Sequence, residues 1–151
     1  MSEVTMRDDL PLRVTHEVRD RCLCLHVQRA ARALGRRFDH ALKPYGLSHG
    51  QFSLMIALNR PGAPKLGDLA RFLAMDRTTL TAALKPLERR GLVVGMADPE
   101  DRRARRLALT ETGRDVLVAA LPVWRAEHEA LDEEVGEAPG LRPALWGIGN
   151  G

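Results

Sequence analysis

The chain predicts a mainly α-helical domain carrying one small β-hairpin, and three observations predict it. Apolar residues recur at helical spacing through most of its 151 residues. Over residues 76–110 a capped helix, DRTTLTAALKPLERR, stops at Gly91 and gives way to two short apolar or alternating runs, 92–94 and 106–109. The loop between those runs holds Arg102, Arg103 and Arg105. A helix followed at once by a basic hairpin suits a nucleic-acid duplex. One element enters the wide groove, and the other lies along the backbone or the narrow groove.

Length and composition agree with one folded domain. Hydrophobic residues make up 44% of the chain and charged residues 28%, enough for a real core. The start, MSEVTMRDDLPLR, holds acids and no apolar h-region, which argues against a secretory signal, and no apolar run reaches the length of a membrane span. Two cysteines, Cys22 and Cys24, are too few for a disulfide framework. A reducing cytoplasm is the compartment these features imply.

The elements follow in order. A first long helix is predicted over 17–43, with Leu23, Val27, Ala30, Leu34, Phe38, Ala41 and Tyr45 in one stripe. It outreaches a compact domain of this size, so its outer part should pack on another chain. Pro44 and Gly46 end it. Ser48 and Gln51 form a capping box opening a second helix with Phe52, Met55, Ile56 and Leu58 on its core face. A short helix over 66–73 buries Leu66, Leu69, Ala70 and Leu73, and Ala74 and Met75 turn tightly into Asp76. Two short helices joined in that way are a helix-turn-helix, and the hairpin makes it winged.

Asp76 caps the next helix, whose core face is Leu80, Ala83, Leu84 and Leu87. Arg77, Thr78, Thr81 and Lys85 lie on the other face, and Pro86 should bend the helix or loosen its last turn. After the hairpin Thr110 caps a helix with Val116, Leu117, Ala120, Leu121 and Trp124, in which Pro122 should make a bend. A last short apolar helix over 141–148 holds Trp146 and could not bury both faces on its own chain. The organisation expected is therefore a single domain over 1–151. Its winged lobe spans about 48–110, and its dimerisation helices span about 17–45 and 111–149. Charge is concentrated in the lobe: residues 60–110 hold 11 Lys/Arg against 6 Asp/Glu, while residues 111–151 hold 3 against 8. A polyanion would dock on the former.

The string LGDLARFLAMDRTTLTAALKPLERRGLV followed by DPEDRRARRLALTETG resembles the MarR family of bacterial transcriptional regulators, and the resemblance runs from the first helix through Trp124. It implies a homodimer with interleaved terminal helices, bound to a pseudo-palindromic double-stranded operator, usually as a repressor released by a small molecule or by oxidation. Carried over residue by residue, Arg77, Thr78 and Thr79 stand at the first turn of the recognition helix, and Thr81 and Lys85 continue its face. Arg103 matches the wing arginine of the minor groove and Asp101 the carboxylate that orients it, while Arg102 and Arg105 suit phosphates. Thr79 has a competing role as a residue bonding its own helix.

The resemblance also aligns Cys24 with the sensing cysteine of the organic-hydroperoxide branch. The two tyrosines that hold that thiolate are here Gln28 and Phe38, a departure that counts against peroxide sensing. An apolar role at the dimer interface is the plainer use of Cys24, and Cys22 is its neighbour in the thiol-based alternative. Arg29 and Arg32 are the candidates to pair with the carboxylate of an aromatic effector. No cofactor, metal site or catalytic residue is expected: Cys22, Cys24 and His26 lack a fourth zinc ligand, and no Gly-rich elbow follows either cysteine. The reading of another class is a helical dimerisation module whose basic face binds a protein partner.

Overall fold

The computed structural model describes residues 5–136 and 138–150. The chain divides after Arg37 into two compact units. The first holds α1 (Leu12–Arg21) and most of α2 (Leu23–Leu42). The second begins at Phe38 and holds the end of α2, a 3-10 turn over Lys43–Tyr45, α3 (His49–Ala57), α4 (Leu66–Phe72), α5 (Arg77–Arg89), β1 (Val93–Ala97), β2 (Arg105–Leu109), α6 (Glu111–Val135) and α7 (Leu141–Gly149). The architecture is mainly α with a two-stranded antiparallel hairpin. No described helix is long and apolar enough to cross a membrane.

The first helix departs from the expected 17–43 span. It begins earlier and is broken at Cys22, whose backbone leaves the helical region (φ −72°, ψ 102°) while its amide still bonds the Val18 carbonyl. An unbroken helix would give the Arg19 carbonyl to residue 23; here it meets the His26 ring at 2.7 Å. Apolar spacing could not reveal this break, because every residue of the stripe lies on its C-terminal side. Within that stripe Phe38 is buried, whereas Leu23, Val27 and Leu34 stand exposed, and Leu42, outside the predicted stripe, is fully enclosed.

The second unit is organised around Leu42, Met55, Leu69, Leu80, Leu84, Leu87 and Leu107, all fully buried. Each such burial contributes about 1.5–3 kcal/mol. The capping box at Ser48 is present in both directions, Ser48 Oγ accepting from the Gln51 amide at 3.1 Å and Gln51 Oε1 from the Ser48 amide at 3.0 Å. On α3 the core face is Phe52, Leu54 and Met55, and Ile56, expected inside, is exposed. The helix has only 9 residues, too few for spacing to choose between adjacent faces. The turn from α4 into α5 places Ala74 in the left-handed region at φ 52°. Neither internal proline ends its helix. Arg90 donates to the Pro86 carbonyl beyond the end of α5, and α6 runs for 25 residues past Pro122.

In the hairpin, Val93 faces Leu109 and Ala97 faces Arg105, so both strands are longer than the apolar runs suggested. Leu107 and Leu109 are buried, while Arg106 and Ala108, alternating with them, are half-buried, the period expected of a strand packed on one face. A third segment joins them: Lys65 bridges Arg106, and the Leu107 amide donates to the Pro64 carbonyl at 3.1 Å.

Thr110 then fastens α6 to the end of α5. Its hydroxyl donates to the Gly91 carbonyl at 2.6 Å and accepts from the Gly113 amide at 3.0 Å, and its own amide donates to Leu92. The backbones approach so closely that a Cβ on Gly113 would overlap the Leu92 carbonyl oxygen. Gly113→Ala should therefore destabilise the fold by about 1–3 kcal/mol, as overpacking does. Urea unfolding should show this as a lower midpoint at unchanged slope.

Candidate nucleic-acid interface

The interface begins at the cap of α5. Asp76 accepts from the Thr79 amide at 2.8 Å through Oδ1 and from the Thr79 hydroxyl at 2.6 Å through Oδ2. These bonds, the hydroxyl's first, hold its carboxyl below the usual carboxylate range. Thr81 donates to the Arg77 carbonyl at 2.7 Å. Two of the threonines expected on the reading face thus spend their protons inside the helix. Thr78 and Lys85 are exposed. Arg77 is exposed too, and its guanidinium lies across Gly67 of α4, where a larger residue would displace it.

The wing tip is built by two aspartates. Asp101 Oδ1 accepts from the Arg103 amide at 3.0 Å, and its carbonyl from the Ala104 amide at 2.9 Å. Its contact with Arg103 is therefore to the main chain, closing a turn, whereas the resemblance implied orientation of the side chain. Asp98, absent from the sequence-based candidates, is the anchor. It is 1% exposed, the only buried charged residue among those described. Its Oδ1 accepts from the Glu100 amide at 2.9 Å, and its Oδ2 lies 3.0 Å from Arg106 Nε and 3.4 Å from Lys65 Nζ. Arg106 also donates to the Ala63 carbonyl at 2.8 Å. The Glu100 amide, then Lys65 and Arg106, hold the Asp98 carboxyl below the usual range against its burial. An acid just after a strand and eight residues before an arginine is the signal that could have found it.

The cations divide into those with partners and those without. Arg106 is spent on Asp98, Arg90 on the Gly46 carbonyl at 2.7 Å, and Arg105 on Glu88 of α5. Arg102 and Arg103 are exposed and, like Arg77 and Lys85, form no ion pair among the described residues. Arg77, Arg103 and Arg105 line one cleft of about 390 Å³ with Lys65, Asp68, Arg71 and Asp101, between α4, the start of α5 and the wing. Helix and hairpin tip thus converge on a single positive face, which defines a winged helix-turn-helix module with a polyanion-facing edge. Spacing could also have found Arg89 and Ala82, exposed on the same stripe as Thr78.

Known proteins agree with this class. The model described as MarR family matches residues 47–104. The M. tuberculosis transcriptional regulator MosR, crystallised in complex with DNA, is 38% identical with a TM-score of 0.78, covering 85% of this chain and 93% of that one. The transcriptional repressor CouR, bound to a 23-mer DNA duplex, is 30% identical with a TM-score of 0.72 over 97% and 96%. The transcriptional activatory protein BadR of Rhodopseudomonas palustris is 35% identical over 110 residues, 70% of this chain but 63% of BadR's own length. The chain belongs to the MarR family.

The other candidates lie elsewhere. Arg29 and Arg32 are exposed on α2, where Arg32 donates to Gln28 at 3.1 Å. Cys22 sits half-buried at the break between α1 and α2, and Cys24 is exposed, both as free thiols.

Asp98 carries the prediction. Because its folded pKa is depressed, its contribution is complete above the ordinary carboxylate value of 3.8 and is lost as pH falls through that value toward the folded one. Asp98→Asn should lower the melting temperature at neutral pH more than Asp101→Asn does. It should also flatten the acid side of the stability curve, read by thermal melts at pH steps from neutral to acid.

Proposed function

We propose that the chain is a homodimeric, sequence-specific DNA-binding transcriptional regulator of the cytoplasm, acting as a repressor that a small molecule releases. The observation that carries this is the convergence of Arg77 and Arg103, neither in an ion pair among the described residues, on one cleft between the start of α5 and the wing, with Lys85 and Arg102 exposed on the same two elements. MosR and CouR, crystallised on DNA, support the duplex as the target, and CouR is named a repressor. The exposed apolar side chains support the dimer. Leu23, Val27 and Leu34 of α2 and Leu145, Trp146 and Ile148 of α7 stand open to solvent in a single copy, as interface residues do. The terminal helices are accordingly the dimerisation elements, about 17–45 and 111–149, and residues 48–110 the reading lobe.

In this reading α5 lies in the major groove, with Arg77, Thr78 and Lys85 toward base edges and phosphates. Thr79 and Thr81 serve the helix itself. Arg103 enters the minor groove from a tip that Asp101 closes, and Arg102 contacts phosphate. Arg105 reaches phosphate only by leaving Glu88. Twofold symmetry sets the half-sites about 34–36 Å apart.

Release follows from a small aromatic acid whose carboxylate accepts hydrogen bonds from Arg29 and Arg32. A second reading rests on Cys24, exposed as a free thiol. An organic hydroperoxide would transfer one oxygen to its sulfur, giving the sulfenic acid and leaving the alcohol, with Cys22 close in sequence. Cys24→Ser should then abolish release by that oxidant, and unchanged release rejects the thiol route.

Titrating a promoter fragment at several salt concentrations tests the main reading. Arg102→Ala should lower the log-log salt slope by about one unit and weaken binding across sequences. Glu88→Gln should act oppositely, freeing Arg105 and steepening the slope. A face built for a protein partner would show no operator preference and neither change.

A further inference from the structure

Resting on the DNA-reading assignment of α5, the geometry points to what that helix reads. The solvent-facing stripe, farthest from Leu80, Leu84 and Leu87, is Thr78, Ala82, Lys85 and Arg89, four residues at steps of four, three and four and all exposed. Thr79 and Thr81 flank it, but each hydroxyl has given its proton away, to Asp76 at 2.6 Å and to the Arg77 carbonyl at 2.7 Å. Neither can donate to a base without breaking a bond that closes the first turn of α5.

A helix laid in the major groove brings its outermost stripe nearest the base pairs. At the middle of this one stands Ala82, which has no polar side-chain atom. One turn before it, Thr78 adds a second methyl. The major-groove feature that a bare methyl group can distinguish is the C5-methyl of thymine, by apolar contact. Cytosine, adenine and guanine carry no methyl there, and an alanine would desolvate their polar groups without pairing them. We infer that Ala82, assisted by the Thr78 methyl, is a specificity-determining residue that reads a thymine in each half-site through its C5-methyl. The positive charges beside it, Lys85 and Arg89, then hold the helix in register without carrying that choice.

The test starts from a random library of duplexes, from which the full-length protein selects its own site. Each thymine in the footprint is then replaced in turn by deoxyuridine, which removes the methyl and nothing else. With the wild-type chain, one thymine in each half-site should lose about fourfold in affinity, the worth of one buried methyl-sized group. With Ala82→Gly the same replacement should lose most of its cost, leaving at most the share of the Thr78 methyl, while the salt slope stays at its wild-type value because the phosphate contacts remain. Circular dichroism establishes that this variant is folded, and the wild-type deoxyuridine scan stands by itself if it is not. Uniform tolerance of deoxyuridine, or a uracil penalty that persists undiminished in Ala82→Gly, overturns the inference while leaving duplex binding intact. Failure to select any duplex overturns the DNA-reading assignment and this inference with it.

Discussion

One buried carboxylate holds the reading head together. A two-stranded hairpin of five-residue strands is marginal by itself. Leu107 and Leu109 give it an apolar footing, but burial alone would let the tip swing. Asp98 prevents this by joining three separated stretches: its own strand end, Lys65 ahead of α4 and Arg106 within β2. Burying a charge is costly unless it is paired and hydrogen-bonded, and here both carboxylate oxygens have donors. Removing either cation would leave the enclosed Asp98 carboxylate with fewer donors, so the tip is held as a unit. Arg103 sits three residues before the Arg106 end of that clasp, and its approach to Arg77 across the cleft depends on it.

Much of this was readable from residue order. The capping residues Asp76, Ser48 and Thr110 announce their helices because the side-chain bond is local, made within three residues. The buried face of α5 follows from a spacing that only a helix satisfies. What spacing could not carry is long-range or single-residue. The break at Cys22 is one dihedral angle in an otherwise helical run. The third segment of the sheet, Pro64 and Lys65, has no strand signature, and it pairs because Arg106 and Leu107 arrive beside it. Asp98 looked like one acid among several in DPEDRR. Its spacing to Arg106, eight residues on, is a local hint, but the full clasp appears only when Lys65, distant along the chain, is brought to it.

The same distinction separates the arginines. Sequence counts them as equal positive charges, and structure does not. Arg90 caps a turn, Arg106 is locked in the clasp, and Arg105 is tied to Glu88. The cations free to meet a polyanion are therefore fewer than the 11 Lys/Arg of residues 60–110, and more sharply placed. A guanidinium already paired must exchange one partner for another, so it adds less to affinity than a free one at the same distance.

Asp76 shows how an acid can stand at the edge of such a face. An unsatisfied carboxylate beside incoming phosphates would repel them, by about 1 kcal/mol per charge pair at 4 Å even in water. Here the carboxylate faces the positive end of α5, and both oxygens are engaged by Thr79. The depressed pKa follows from the same bonds, so the group remains ionised and turned inward at neutral pH. Thr79 gives both its amide and its hydroxyl proton to this carboxylate, so in the unbound chain it completes the cap that fixes the first turn of α5.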